Sequence, residues 1–62
     1  MQVSDFYIHR EARRLFERLG DDALAEARTK VRLSRARDDM LAADMWLRII
    51  AALEELMREV AE

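Results

Sequence analysis

Five cations fall within ten residues, Arg28, Lys30, Arg32, Arg35 and Arg37, with no acidic side chain among them. On a helix Arg28, Arg32 and Arg35 share one face, a spacing that suits contacts along a phosphate backbone. The plainer reading is a solvated face, or a partner for acidic side chains elsewhere. A formal net charge of −2 weighs against nucleic acid, because sequence-independent affinity rests on net cation contacts. No aromatic residue interleaves the cluster. The lone imidazole, His9, has Asp5 one turn before it and Arg13 one turn after it. An Asp–His contact is open to it, yet neither a nucleophile nor a second ligand accompanies it, so His9 reads as an exposed or capping residue. Ser4, Thr29 and Ser34 likewise lack a visible base. Glu55, Glu59 and Glu62 line one C-terminal face that would attract a cation, but bundle carboxylate sites normally add a Glu-x-x-His pair, which is missing. No catalytic constellation, metal site or cofactor is therefore expected, and the chain does not read as an enzyme.

The elements that must position these residues are helical. Ala, Leu, Arg, Glu and Met dominate, Pro is absent, and β-branched residues are scattered. Ile8, Ala12, Leu15, Phe16 and Leu19 form one stripe at the helical period. Ser4 or Asp5 can cap its start and Gly20 can close its end, which places the first helix at about 5–19. Asp21 and Asp22 suit the start of a second helix, about 22–37, whose apolar face of Leu24, Ala27 and Val31 is thin, with Ala23 and Ser34 beside it. Leu33 and Ala36 lie on its opposite side and offer a second contact surface. Asp38 and Asp39 mark the next break, because Asp tolerates the left-handed region and caps helices well. A single long helix over 22–61 is the rival, since no Gly or Pro follows Gly20.

The last segment, about 40–61, carries Ala42, Trp46, Ile49, Ile50, Leu53, Met57 and Val60 on one stripe, widened by Leu41, Met45, Ala52 and Leu56. Asp44/Arg48, Glu54/Arg58 and Glu26/Lys30 are acid-before-base pairs at i, i+4 and mark the wet face. Trp46 reads as a core or interface anchor, with a Trp/Met surface for a partner helix as the sharper alternative. Met40, Met45 and Met57 read as gap-fillers.

Sixty-two residues make one small domain, 1–62, whose core supplies only a few kcal/mol unless something staples it. Without cysteine there is no disulfide, so oligomerisation is the remaining staple and a reducing cytoplasm the expected compartment. The longest apolar run is Ile49–Leu53, far short of the roughly 20 residues of a membrane span. The N-terminus lacks the basic flank and apolar stretch of a signal peptide and reads as unexported. Residues 1–37 carry 9 basic and 6 acidic side chains, net +3, whereas residues 38–62 carry 2 and 7, net −5. Antiparallel pairing of the two halves, within or between chains, would help to fix orientation.

The segments Leu19-Gly20-Asp21-Asp22-Ala23 and Trp46-Leu47-Arg48-Ile49-Ile50-Ala51-Ala52-Leu53-Glu54-Glu55-Leu56, with the Asp38-Asp39 junction between them, carry a resemblance. The chain resembles, over about residues 10–58, a group of uncharacterised short proteins of α-proteobacteria. Their pattern is a helix ending in Gly-Glu/Asp-Asp-Ala, an Ala- and Arg-rich helix, a Gly-Asp turn, then Trp-x-Arg-Ile-x-x-Ala-Ile-x-x-Leu. This chain departs at the second turn, with Asp38 where that group usually has Gly and Ala42 where a second Gly often sits. Those losses favour the long-helix rival. The resemblance implies a bacterial helical protein and brings no activity or catalytic residue with it.

The expectation is thus an all-α unit, three helices or a short helix with a long one, packed as a homodimeric bundle. Trp46, Ile49, Ile50, Leu53, Met57 and Val60 would form the shared core, covered by Phe16 and Leu19. Its function would be that of a structural or protein–protein interaction module, with docking of another protein open to it and a dimeric nucleic-acid-binding regulator using Arg28, Arg32 and Arg35 as the alternative.

Overall fold

A computed structural model describes residues 4–61, and all regular structure in it is helical. Helix α1 spans Asp5–Leu19, a 3-10 turn follows at Gly20–Asp22, α2 spans Ala23–Ala36 and α3 spans Met40–Ala61. Ser4 starts α1 by accepting from the Tyr7 N–H at 3.2 Å. Gly20 ends it at φ 57° and ψ −130°, a conformation essentially reserved for glycine, while its N–H donates to the Phe16 carbonyl. Neither Asp21 nor Asp22 supplies the side-chain cap expected of the second helix. The 3-10 turn already supplies hydrogen bonding there, the Ala23 N–H donating to the Gly20 carbonyl, and the two carboxylates point to solvent.

The long-helix rival fails at Asp38. This residue sits at φ 58°, in the left-handed region where Asp is tolerated. Around it the Asp38 N–H donates to the Arg35 carbonyl at 3.1 Å and the Asp39 N–H to the Ser34 carbonyl at 2.8 Å, the paired bonds that close a helix C-terminus. Asp39 then opens α3: its Oδ1 accepts from the Ala42 N–H at 3.1 Å. The loss of glycine at position 38 therefore leaves the break in place, because an aspartate performs the turn and its neighbour the cap. With three residues between them, α2 and α3 run antiparallel as a helical hairpin.

Most of the core is one cluster, with buried Val31 of α2 and Ala43 of α3 outside it. Ile8, Ala12 and Leu15 of α1 meet Ala23 and Ala27 of α2 and Ile49, Ala52 and Leu53 of α3, with Tyr7, Phe16, Leu19, Leu24, Met45, Trp46 and Ile50 packed around them. Ile49 and Leu53 are the largest fully buried side chains. Helix α2 is as thin-faced as its sequence predicts: Val31 is its only buried apolar residue larger than alanine. The molecule measures 37 × 23 × 16 Å. No helix among the described residues is long and apolar enough to cross a membrane.

The two aspartates of the turn have opposite roles, which thermal unfolding followed by circular dichroism can separate. Asp39→Ala removes a cap and is expected to cost about 1 kcal/mol. Asp38→Gly relieves a left-handed Cβ and is expected to stabilise by up to about 1 kcal/mol. Shifts of the same sign in both variants would contradict this turn.

Candidate functional site

Helices α1 and α3 leave an open groove of about 620 Å³ between them. Its apolar floor comes from Leu15, Met45, Trp46 and Ile49, and its rim carries Tyr7, Glu11, Arg14 and Arg18. Local contacts order that rim. Glu11 Oε2 lies 3.5 Å from Arg14 Nη1 and 3.6 Å from Arg10 Nε. The Arg10 guanidinium lies 5.4 Å from the Tyr7 ring centroid and 6.0 Å from that of Phe6. Such exposed contacts are each worth less than about 1 kcal/mol, so they orient the side chains more than they hold the fold.

A second, smaller cleft of about 190 Å³ brings His9 and Arg13 of α1 to Glu55 and Glu59 of α3. The Asp5–His9 contact considered from sequence does not form. His9 is exposed and faces the α3 carboxylates instead. That convergence was not read from the sequence, although its signal was present: two i, i+4 pairs of opposite charge on separate helices. Glu62, the third carboxylate of that face, lies outside the described residues. Among the described residues no group of three or more His, Asp or Glu side chains is placed to hold a metal ion. The three hydroxyls serve local structure. Ser4 caps α1, Ser34 is buried in α2, and Thr29 Oγ1 donates to the Ala25 carbonyl at 3.1 Å while accepting from Arg32 at 3.3 Å.

The residues expected to form a shared core divide into two sets. Ile49 and Leu53 are 2% and 0% exposed against α1 and α2 of the same chain, so as placed they have no surface to offer a partner. Trp46, Ile50, Met57, Phe16 and Leu19 are half-buried, and Val60 is 63% exposed. For Met57 and Val60 the physical reason is length. At 1.5 Å per residue α3 is about 33 Å long and α2 about 21 Å, so the end of α3 runs on past its neighbour. Leu33 is 45% exposed, and Met40, Leu41 and Leu47 are exposed near the opposite end of α3.

Arg28, Arg32 and Arg35 are all exposed, on one side of α2. Asp44/Arg48 and Glu26/Lys30 pair as their spacing predicts, at 3.1 and 3.9 Å, whereas Glu54/Arg58 does not close. Among the described residues every ion pair lies within one helix; the basic and acidic halves converge inside the chain at the cleft of His9 and Arg13 with Glu55 and Glu59, without closing an ion pair. Compared with family models, curated proteins and solved structures, the chain matches none.

The inside–outside division has a direct test in denaturant unfolding of the dilute chain. Leu53→Ala is expected to cost about 2–5 kcal/mol, while Val60→Ala and His9→Ala are each expected to change stability by no more than about 0.5 kcal/mol.

Proposed function

We propose that this chain is a small self-associating helical module, structural or interaction-mediating in role and without a catalytic centre of its own, that forms a homodimer through the Trp46 side of α3. The observation that carries the reading is a deficit of burial. Of the ten buried apolar residues among those described, Ala12, Ala23, Ala27, Ala43 and Ala52 are alanine, so only five larger side chains are buried, and of these only Ile49 and Leu53 fully. The accessible surface is 4795 Å². A compact monomer of this mass exposes about 4,200 Å². The chain thus exposes somewhat more surface than the average for its mass. Half-buried Trp46, Ile50 and Met57, with exposed Val60 beyond them, supply apolar surface for a second copy, and exposed Leu33, Met40, Leu41 and Leu47 supply more elsewhere on the molecule. Tryptophan in such a setting is a favoured anchor.

Light scattering of the purified chain tests this. Twice the chain mass is expected at micromolar concentration, with Trp46 emission shifting to the red as dilution separates the copies. A single-chain mass persisting at several hundred micromolar would overturn the proposal.

One observation favours a second reading, a nucleic-acid-binding regulator: the Arg28, Arg32 and Arg35 side chains are exposed together and none is ion-paired among the described residues. Fluorescence titration with duplex DNA and RNA at two salt concentrations separates the readings. Micromolar, salt-steep binding abolished by charge reversal of the three arginines would favour the second; its absence is the outcome expected of the first.

A further inference from the structure

We infer that two copies pair turn to groove: the end of each hairpin, residues 37–39, lies against α1 in the Trp46 groove of the second copy, about a two-fold axis beside residues 43 and 44. This rests on the self-association proposed above and adds the contact surface, its orientation and its register.

Helix α1 covers only half of one hairpin face. Its Ile8, Ala12 and Leu15 meet Ala23 and Ala27 of α2 and Ile49, Ala52 and Leu53 of α3. The groove on one flank of α1 reaches Met45, Trp46 and Ile49, and the cleft on its other flank reaches Ala52, Glu55, Leu56 and Glu59. Helix α1 therefore crosses α3 near residues 49–53. From there back to the turn, roughly ten residues of α3, about 15 Å, have no helix over them on that face. Leu41 and Ala42 stand one turn before Met45 and Trp46 and carry the apolar floor of the groove out to the turn, with Leu41 72% exposed. On α2, Glu26, Leu33 and Arg37 lie within about 80° of buried Ala23 and border the same face, whereas Arg28, Arg32 and Arg35 lie about 120° or more from it.

The chain is thus a step, with the bare hairpin end below and α1 above. A two-fold axis across the bare half closes two such steps on each other, each hairpin end abutting the other copy's α1, so that one patch serves both copies. The three-residue turn sets Leu33 level with about residue 43 of α3 and Glu26 level with about residue 50. Leu33 of the two copies then meets beside the axis, and the turn of one arrives level with about residue 48 of the other, where α1 stops it. Ala42, Met45 and Trp46 lie between these limits and are covered. Met57 and Val60 lie beyond α1 and stay outside the contact.

Charge at the two ends agrees with that register. Arg37 comes within a turn of the second copy's Glu26. Asp38 and Asp39 meet the wall of α1, where Arg14 and Arg18 stand with Glu11 and Glu17. Arg10 adds a third cation by pairing with Glu11 at 3.6 Å, so the wall is net positive. Arg18, Arg37, Asp38 and Asp39 are all exposed, and none is ion-paired among the described residues. Such pairs select the orientation more than they add affinity.

Disulfide trapping tests the register. Glu26→Cys and Arg37→Cys chains, mixed and oxidised, are expected to give the 26-to-37 product. The self-pairs stand about 20 and 14 Å apart along the helices, too far to bridge. Substitution tests the surface independently. Leu33→Arg and Leu41→Arg, each verified by circular dichroism to keep the wild-type helix content and unfolding transition, are expected to dimerise at least about tenfold more weakly in light scattering. Met40→Arg is the control, since Met40 is 61% exposed but about 180° round α3 from Ile49, and it should dimerise as the wild type does. A dimer that gives no 26-to-37 product, or an excess of either self-linked one, would overturn this arrangement while leaving self-association standing. Equal weakening by Met40→Arg and Leu41→Arg would do the same. Wild-type chains that stay single would overturn both.

Discussion

The arrangement depends on how closely α2 can approach α3. Ala23 and Ala27 are completely buried in the same cluster as Ile49 and Leu53, and Ala52 and Ala12 serve the same role between α3 and α1. Short side chains on one helix admit long ones from the other, and a larger residue at 23 or 27 would push α2 away and open the cluster. This contact fixes the register of the hairpin. The register in turn decides which parts of α3 are covered, which are bare, and where the basic face of α2 comes to lie.

The same economy limits what one chain can do for itself. Alanines bring backbones together but remove little apolar surface from water, so the cohesion of the unit falls on a few side chains, chiefly Ile8, Leu15, Val31, Ile49 and Leu53. Among the described residues the charged and capping contacts are local: four ion pairs, each within a single helix, and two side-chain caps. None of these ties one helix to another. Orientation between helices is therefore set by shape, while the charges are left to act outward.

Much of the fold was legible in the sequence because helix boundaries are written in local chemistry. Ser4, Gly20 and Asp39 act at their expected positions, and the apolar stripe of α1 faces the core as its spacing predicts. The weaker signals were misleading for specific reasons. Asp38 lacks the mark of a glycine turn, yet a left-handed aspartate followed by a capping aspartate breaks the chain equally well. Asp21 and Asp22 look like caps, yet the 3-10 turn leaves them no cap to make. Periodicity placed Met57 and Val60 with Leu53 because it reports the face of a helix and not the length of its neighbours. The candidate clefts were less legible still: that His9 shares a cleft with Glu55 and Glu59, or Tyr7 a groove with Trp46, depends on how α1 crosses α3, which no local signal encodes.

Among the described residues Ser34 is the only buried polar side chain, and every ionisable one keeps contact with water. Each charge consequently works through a high dielectric, where a unit-charge contact at 4 Å is worth only about 1 kcal/mol. Discrimination in such a molecule accumulates from many feeble attractions spread over its length. Spread along three helices, such attractions add up only over a long contact and give little hold at any single point.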